Sequence, residues 1–297
     1  MSDANPKTEV KKVIIPVAGL GTRFLPMTRI MPKAVLPVVD EPMAAWIVKE
    51  AKESGINDIT FIVSENTKIT LDYFKPKTKL SQILEKRGSL DVLEKLRKME
   101  KGLEGINFSF VVQPEPRGDG DAVLKAKKQV EKEPFGVLFH DDIFFGKQPP
   151  ISQLIKVFQT SQKPVIGLKK ISQDKLSAYG VASVEKIATH LYKIKKIVEK
   201  PKPGEAPSDL AFCGRYILTP DIFHYLGKTP LTQKGELILA DAFSAMLDDG
   251  KVIYGCEIEG DWLECGKTVD WLKSSIFLAL QHKEYGPAIR EWLKKIK

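Results

Sequence analysis

The most constraining feature of this sequence is the alternation, through its first half, of short apolar runs with amphipathic segments. Val13–Ala18 is apolar and stops at Gly19, as a strand buried on both faces of a parallel sheet would. Asp40-Glu-Pro42 then opens an apolar-periodic stretch to about Lys52, with Asp40 as a candidate N-cap and Pro42 near the first turn. Ile59–Val63 reads as the next strand. Charged, leucine-spaced segments between about Lys79 and Glu100 read as exposed helices. Phe108–Gln113 is strand-like, Asp121–Val130 helix-like, and Val137–Phe139 strand-like again. This order predicts an α/β chain with a central sheet, right-handed connections and helices on both faces.

After about Pro149 the texture changes. Val165–Leu168, Gly180–Val184, Leu191–Val198 and Ala211–Leu218 are strand-like with few helices between them, which predicts a mixed sheet or a substrate subdomain. Helical patterns return at Gly235–Leu247, Val269–Gln281 and Ala288–Ile296. No internal repeat or low-complexity tract interrupts the chain. We therefore expect one domain over residues 1–297, with a first part over about 11–149, a second over about 150–285, and a C-terminal helix over 286–297.

Composition excludes several classes. With 297 residues, 43% hydrophobic and 28% charged, the chain can bury a sizeable core without staples. Cys213, Cys256 and Cys265 form no CxxC pair, so neither a disulfide framework nor a zinc site is expected. No apolar run approaches the about 20 residues that span a bilayer. The N-terminal residues lack the apolar core of a secretion signal. These features predict a cytoplasmic protein without a membrane partner. The net charge of +8 comes from lysines spread along the chain, with no basic block interleaved with aromatics. Anionic small molecules, rather than nucleic acid, are the expected partners.

The glycine-rich segment after the first strand, Val17–Lys33, carries the strongest chemical signal. A dinucleotide fingerprint G-x-G-x-x-G fails because Phe24 stands where the third glycine belongs. A P-loop fails because Asp261 stands where the first glycine before Gly266-Lys267-Thr268 belongs. What remains is a glycine turn followed by Arg23 and Lys33. Glycines let backbone N–H groups approach phosphate oxygens. Arg23 can fork onto a phosphate, and Lys33 supplies a compact charge. Two glycines alone fit an ordinary loop. With both cations at the first crevice of an α/β sheet, they predict a triphosphate cradle.

Gly19-Leu-Gly21-Thr-Arg23, then Leu25-Pro26, Pro32-Lys33 and Leu36-Pro37-Val38, resembles the signature of the sugar-1-phosphate nucleotidylyltransferases. The resemblance runs from about Lys12 to Tyr285. Val198-Glu199-Lys200-Pro201 also fits the superfamily, and Ala206–Ala211 before Gly214-Arg215-Tyr216 points to its uridylyl branch. It implies a Rossmann-like nucleotidyltransferase fold with a mixed, mostly parallel sheet, in which about residues 11–149 form the nucleotide-binding part and about 150–285 the sugar-binding part. It further implies UTP and glucose 1-phosphate as substrates, Mg²⁺ as cofactor, and a homodimer or homotetramer. A uridylyl group would pass from UTP to glucose 1-phosphate, giving UDP-glucose and pyrophosphate. The alternatives are the same chemistry on dTTP or another hexose 1-phosphate, and a nucleotide-sensing protein on the same fold without turnover.

The resemblance assigns residues one by one. Ala18, Gly19, Gly21, Gln113 and Gly118 would bind the nucleotide. Gly180, Glu199, Lys200 and Gly214 would bind the sugar phosphate. Arg23, Lys33 and Lys200 would act in catalysis, and Asp141 and Glu264 would hold the metal. The residue types suit these roles. A glutamine amide both donates to and accepts from a uracil edge. His140-Asp141-Asp142 follows an apolar strand, and carboxylates at a strand's carboxyl end suit Mg²⁺. His140 stands where the family often has glycine or proline and receives no role.

The sequence also departs from the family's pattern. Gly118-Asp119-Gly120-Asp121-Ala122 stands where Gly-Leu-Gly-His-Ala is usual. Asp121 is read as a helix cap, while Asp119 beside a triphosphate has no ready explanation. Glu264 replaces an aspartate, adding a methylene to the metal motif. In Gly235–Asp241, Glu236 and Asp241 persist, but Ile238 and Ala240 replace glutamine and threonine.

Overall fold

In a computed structural model of the chain, residues 8–76 and 78–296 are described. Met1–Lys7, where the absence of a secretion signal is read, and Lys297, at the end of the expected C-terminal helix, lie outside the described residues.

The strands in chain order are β1 (Lys12–Pro16), β2 (Pro37–Val38), β3 (Glu41–Pro42), β4 (Asp58–Val63), β5 (Asn107–Val112), β6 (Phe135–Leu138), β7 (Asp142–Phe145), β8 (Val165–Lys170), β9 (Gly180–Ala188), β10 (Leu191–Glu199), β11 (Leu210–Leu218), β12 (Tyr254–Glu257) and β13 (Asp261–Glu264). Nine of them form one sheet in the order β5-β4-β1-β6-β11-β8-β12-β10-β9. The β5-β4-β1-β6 block is parallel throughout. Among the described strands of this sheet, only β10 and β11 run against the rest. The mixed, mostly parallel sheet expected from the sequence is thus present, with its parallel block in the first half of the chain.

Strand periodicity explains why both faces carry helices. Val13 and Ile15 of β1 pack into a core with the helices Met43–Glu53 and Pro150–Ser161. Ile14, between them, points the other way, into a core with the helices Asp119–Lys125 and Leu239–Asp248. Each of these isoleucines is fully buried. A fully buried isoleucine contributes on the order of 1.5–3 kcal/mol.

Chain order around β1 places the site. The chain moves from β1 outward to β4 and β5, then returns to β6 on the other side of β1. The crevice between the carboxyl ends of β1 and β6 is therefore a topological switch point. A separate two-stranded ribbon pairs β7 with β13, setting Glu264 opposite Asp142.

Several local expectations are corrected. Asp40 does not cap the helix Met43–Glu53; Pro42 holds that position, and Asp40 accepts a hydrogen bond from the Tyr285 hydroxyl at 2.9 Å. The helix expected over Asp121–Val130 starts at Asp119 and is broken at Ala126 into Asp119–Lys125 and Lys127–Val130. Gly235–Ile238 is not helical, and that helix begins at Leu239. The C-terminal helix covers Gly286–Leu293. Among the described residues, no helix is long and apolar enough to cross a membrane.

Candidate active site

A cavity of about 530 Å³ opens at the β1–β6 switch point. Ala18, Gly19, Gly21, Arg23, Lys33, Gln113, Gly118 and Asp141 all line it. The two ends of the expected nucleotide site, glycine loop and Gln113, therefore face one space.

The loop from Gly19 to Val35 folds into short 3-10 turns. Gly21 has φ 64°, and a β-carbon there would stand 2.9 Å from the Thr28 methyl, so this turn requires glycine. Arg23 is exposed, whereas Lys33 is buried at 8% exposure and pairs with the Asp141 carboxylate. Burial alone would raise the pKa of Asp141. The Lys33 ammonium, with His140, overrides it and holds this carboxyl well below the usual range. His140 is buried and donates from Nδ1 to the Pro16 carbonyl at 3.0 Å. Burial pushes its pKa down to about 4, so it is neutral near pH 7.

Asp142 lies outside the lining of that cavity. It accepts from Trp262 Nε1 at 2.8 Å, and burial, then the charge of Asp141, pushes its pKa up to about 7. Behind the Phe139–Asp142 turn lies a group the sequence reading missed. The Arg215 guanidinium, fully buried, donates to the Phe139 and Gly214 carbonyls at 3.0 Å and to the Asp142 carbonyl. Glu50 neutralises it. The signal was present, because each residue is a lone charge on an apolar face: Glu50 among Met43, Ile47 and Ala51, and Arg215 within β11.

The β7–β13 ribbon brings Glu264 to the cavity's flank. Cys265 N–H donates to the Asp141 carbonyl at 2.7 Å, locking the two segments together. A β-carbon at Gly266 would lie 2.9 Å from Glu264 Oε1, 3.5 Å from Arg23 Nη1 and 3.8 Å from Asp141 Oδ2, so these groups converge on one point. The other Glu264 oxygen accepts from the Tyr179 hydroxyl. Two carboxylates of this kind fit a magnesium ion, which takes hard oxygen ligands from one or two side chains and leaves the rest to water and phosphate.

The residues assigned to the sugar lie outside the cavity lining. Gly180 and Glu199 are cross-strand partners on β9 and β10, and Lys200 Nζ pairs with Glu199 at 3.0 Å. Lys200 takes a left-handed φ of 47° and donates its backbone N–H to the Tyr179 carbonyl at 3.0 Å. Gly214 has a φ of 66°, and a β-carbon would come within 2.1 Å of Asp142 Oδ2, so the strand requires glycine at this point.

Both unusual aspartates find partners within the protein. Asp119 Oδ1 accepts from Gly120 N–H at 2.8 Å and from Leu239 N–H at 2.9 Å, capping the helix Leu239–Asp248 from outside. Burial raises its pKa against the pull of those hydrogen bonds. Asp121 is not a helix cap, since Gly118 takes that position. Its carboxylate instead accepts from Gln113 Nε2 at 2.8 Å. Glu236 also lines the cavity.

Residues 12–280 match the sequence profile of the nucleotidyl transferase family. The chain belongs to the nucleotidyl transferase family. Among its relatives in that family is UTP–glucose-1-phosphate uridylyltransferase 2 of Staphylococcus saprophyticus, 38% identical over 289 residues that cover 97% of this chain and 99% of that one. The Staphylococcus epidermidis protein called UTP–glucose-1-phosphate uridylyltransferase is 36% identical over 288 residues, covering 97% and 99%. Among solved structures of nucleotidyl transferases, UTP-bound UGPase from Acinetobacter baumannii superposes with a TM-score of 0.89, at 32% identity over 97% of this chain and all of that one. A UDP-glucose pyrophosphorylase complexed with UDP-glucose gives 0.81, at 32% identity and 92% coverage of this chain.

Proposed function

We propose that this chain transfers a uridylyl group from UTP to glucose 1-phosphate, releasing pyrophosphate. One observation carries the reading: the Lys33–Asp141 pair, the glycine loop and Gln113 line the same cavity, so phosphate-neutralising and base-reading groups share one space. Relatives and solved structures bearing the uridylyltransferase name support it.

A phosphate oxygen of glucose 1-phosphate attacks the α-phosphorus of UTP in line. A new P–O bond forms as the bond to the bridging oxygen breaks, and its electron pair leaves with pyrophosphate. The nucleophile is already anionic, so no general base is needed. The protein's task is positioning and charge stabilisation. Arg23 and Lys33 neutralise the departing pyrophosphate. Gly19 and Gly21 let the loop backbone approach the phosphates, with Ala18 beside them. Gln113 and Gly118 meet the base. Glu199 and Gly180 meet the hexose, and Lys200 offsets repulsion between the two anionic substrates. Asp141 and Glu264 are the residues that would hold a magnesium ion, which when bound supplies Lewis-acid neutralisation of the phosphates. We further read the protein as cytoplasmic and as a homodimer or homotetramer.

The test is pyrophosphate release across a panel of nucleoside triphosphates and sugar 1-phosphates with Mg²⁺. UTP with glucose 1-phosphate should be the fastest pair. Release with dTTP or another sugar exceeding it would move the substrate assignment. Binding of UTP with no release for any pair would make the chain a sensor.

A further inference from the structure

Gln113 is 4% exposed and lines the cavity. Its Nε2 donates to the Gly118 carbonyl at 3.1 Å and to Asp121 Oδ2 at 2.8 Å. Both partners are acceptors only. Together they fix which end of the amide is nitrogen, and they use both of its hydrogens. The carbonyl oxygen is then the polar atom that Gln113 has left to offer the cavity.

We propose that Asp121 is a positioning residue that locks the Gln113 amide with its oxygen toward the base, and so makes the site select a base that donates at N3. This rests on the uridylyl-transfer reading given above. Uracil and thymine carry an N–H at that position. Cytosine carries a lone pair there, which would face the Gln113 oxygen with no hydrogen between them. The Gly118 carbonyl alone would hold one hydrogen of the amide. The carboxylate of Asp121 holds the other and turns the preference into a lock. Asp121 stands where the sequence departs from its family's pattern, so the device belongs to this chain's own sequence.

Lys125 sharpens the test. Its Nζ lies 3.9 Å from Asp121 Oδ1, the carboxylate oxygen that does not accept from Gln113. In Asp121→Asn the ammonium holds the amide oxygen, which turns the new NH₂ toward Gln113. Two donors then face each other, and the Gln113 amide turns over. In Asp121→Ala the second acceptor is simply gone.

The kcat/KM ratio of UTP to CTP should fall about tenfold in Asp121→Ala and further in Asp121→Asn, the scale for mismatching one buried polar group. The change should lie mainly in KM. The UTP to dTTP ratio should not move, because the two bases share the same N3–H edge. The exchange rate of the Gln113 side-chain amide hydrogens, followed by ¹⁵N NMR on the free protein, should rise in both variants. Unchanged UTP over CTP preference in both variants, or an equal loss for UTP, dTTP and CTP, would overturn the proposal. Should the wild type turn over no UTP, the uridylyl-transfer reading fails on its own. The exchange measurement then decides whether Asp121 holds the amide: equal protection in wild type and variants refutes it.

Discussion

Arg215 grips Glu50 through two hydrogen bonds, Nε to Oε1 at 2.8 Å and Nη2 to Oε2 at 2.7 Å, in the interior beneath the candidate active site. The same guanidinium donates to three carbonyls around the Phe139–Asp142 turn, and Glu50 Oε1 also accepts from Ile151 N–H at 3.0 Å. The pair thus ties the helix Met43–Glu53, the helix Pro150–Ser161 and strand β11 to the turn that carries Asp141.

Removing one partner leaves a buried charge without compensation, which costs about 3–5 kcal/mol. Glu50→Ala should therefore lower stability on that scale in urea denaturation at pH 7. Arg215→Met should cost a similar amount, because it keeps much of the volume but leaves the buried Glu50 carboxylate and three backbone carbonyls without the guanidinium. A loss below about 1 kcal/mol for Glu50→Ala would show that water reaches the guanidinium.

The glycines separate function from packing. A β-carbon at Gly19 meets no atom within 4 Å, and its φ is not left-handed. Gly118, with φ 93°, would place a β-carbon 2.4 Å from the Leu237 carbonyl oxygen. Gly19→Ala should keep stability within about 0.5 kcal/mol, the range for open surface sites. Its methyl should still weaken UTP binding about tenfold, by occupying space against the phosphates. Gly118→Ala should lose more than about 1 kcal/mol of stability, because both the conformation and the space are wrong. Calorimetric binding beside thermal melts decides. Normal UTP affinity in Gly19→Ala would move the phosphates away from this loop.

What was legible in the sequence follows from the range of the interactions. Val13–Ala18 and Ile59–Val63 are read correctly because a strand buried on both faces must be apolar throughout. Arg23, Lys33 and Gln113 reach one cavity because parallel strands put the ends of β1, β4 and β5 on the same edge. Asp119 and Asp40 are not legible, for the opposite reason. Asp119 answers to the backbone of Leu239, far along the chain, and no local pattern announces that partner. Asp40 looks like an N-cap locally, yet Tyr285 takes its carboxylate. Glu199 and Lys200 are legible as motif residues, but their place beside Tyr179 depends on how β9 meets β10.

Two neighbours titrate in opposition. Burial holds the His140 pKa at about 4 against 6.5 for the free side chain. Between those values the unfolded chain binds more protons, so this group makes stability rise with pH. Burial, then Asp141, holds the Asp142 pKa at about 7 against 3.8. Between those values the folded state binds more protons, so this group makes stability fall as pH rises. Over about pH 4 to 6.5 the two cancel. Asp142→Asn removes one side of the balance and should add a slope of up to about 1.4 kcal/mol per pH unit relative to wild type, with stability lost on acidification. Urea midpoints at pH 5 and 6.5 measure it. Equal pH dependence in the two proteins would place the Asp142 carboxyl outside this range.

Tyr179 joins the two halves of the site. Its carbonyl takes the Lys200 N–H at 3.0 Å, and its hydroxyl donates to Glu264. Burial, then this bond to Glu264, raises the phenol's pKa, so the hydroxyl keeps its proton throughout the working range. The tyrosine therefore fixes one oxygen of Glu264 and leaves Oε1 on the Gly266 side, next to Asp141 and Arg23. The extra methylene of glutamate, relative to the family's aspartate, spans the distance from the β13 backbone to both the phenol and that point. If Glu264 holds magnesium, Tyr179→Phe should raise the Mg²⁺ concentration needed for half-maximal turnover while leaving the fold intact. Loss of an orienting partner typically weakens metal binding by about 10–100-fold. Glu264→Asp should lose activity too, because the carboxylate, drawn back by about 1.5 Å, is left short of its partners. Mn²⁺, also suited to oxygen donors, should restore part of that loss. Metal-activation curves for both variants make the test. Unchanged Mg²⁺ and Mn²⁺ requirements in both would leave Asp141 and the substrate phosphates as the only ligands and remove Glu264 from the metal site.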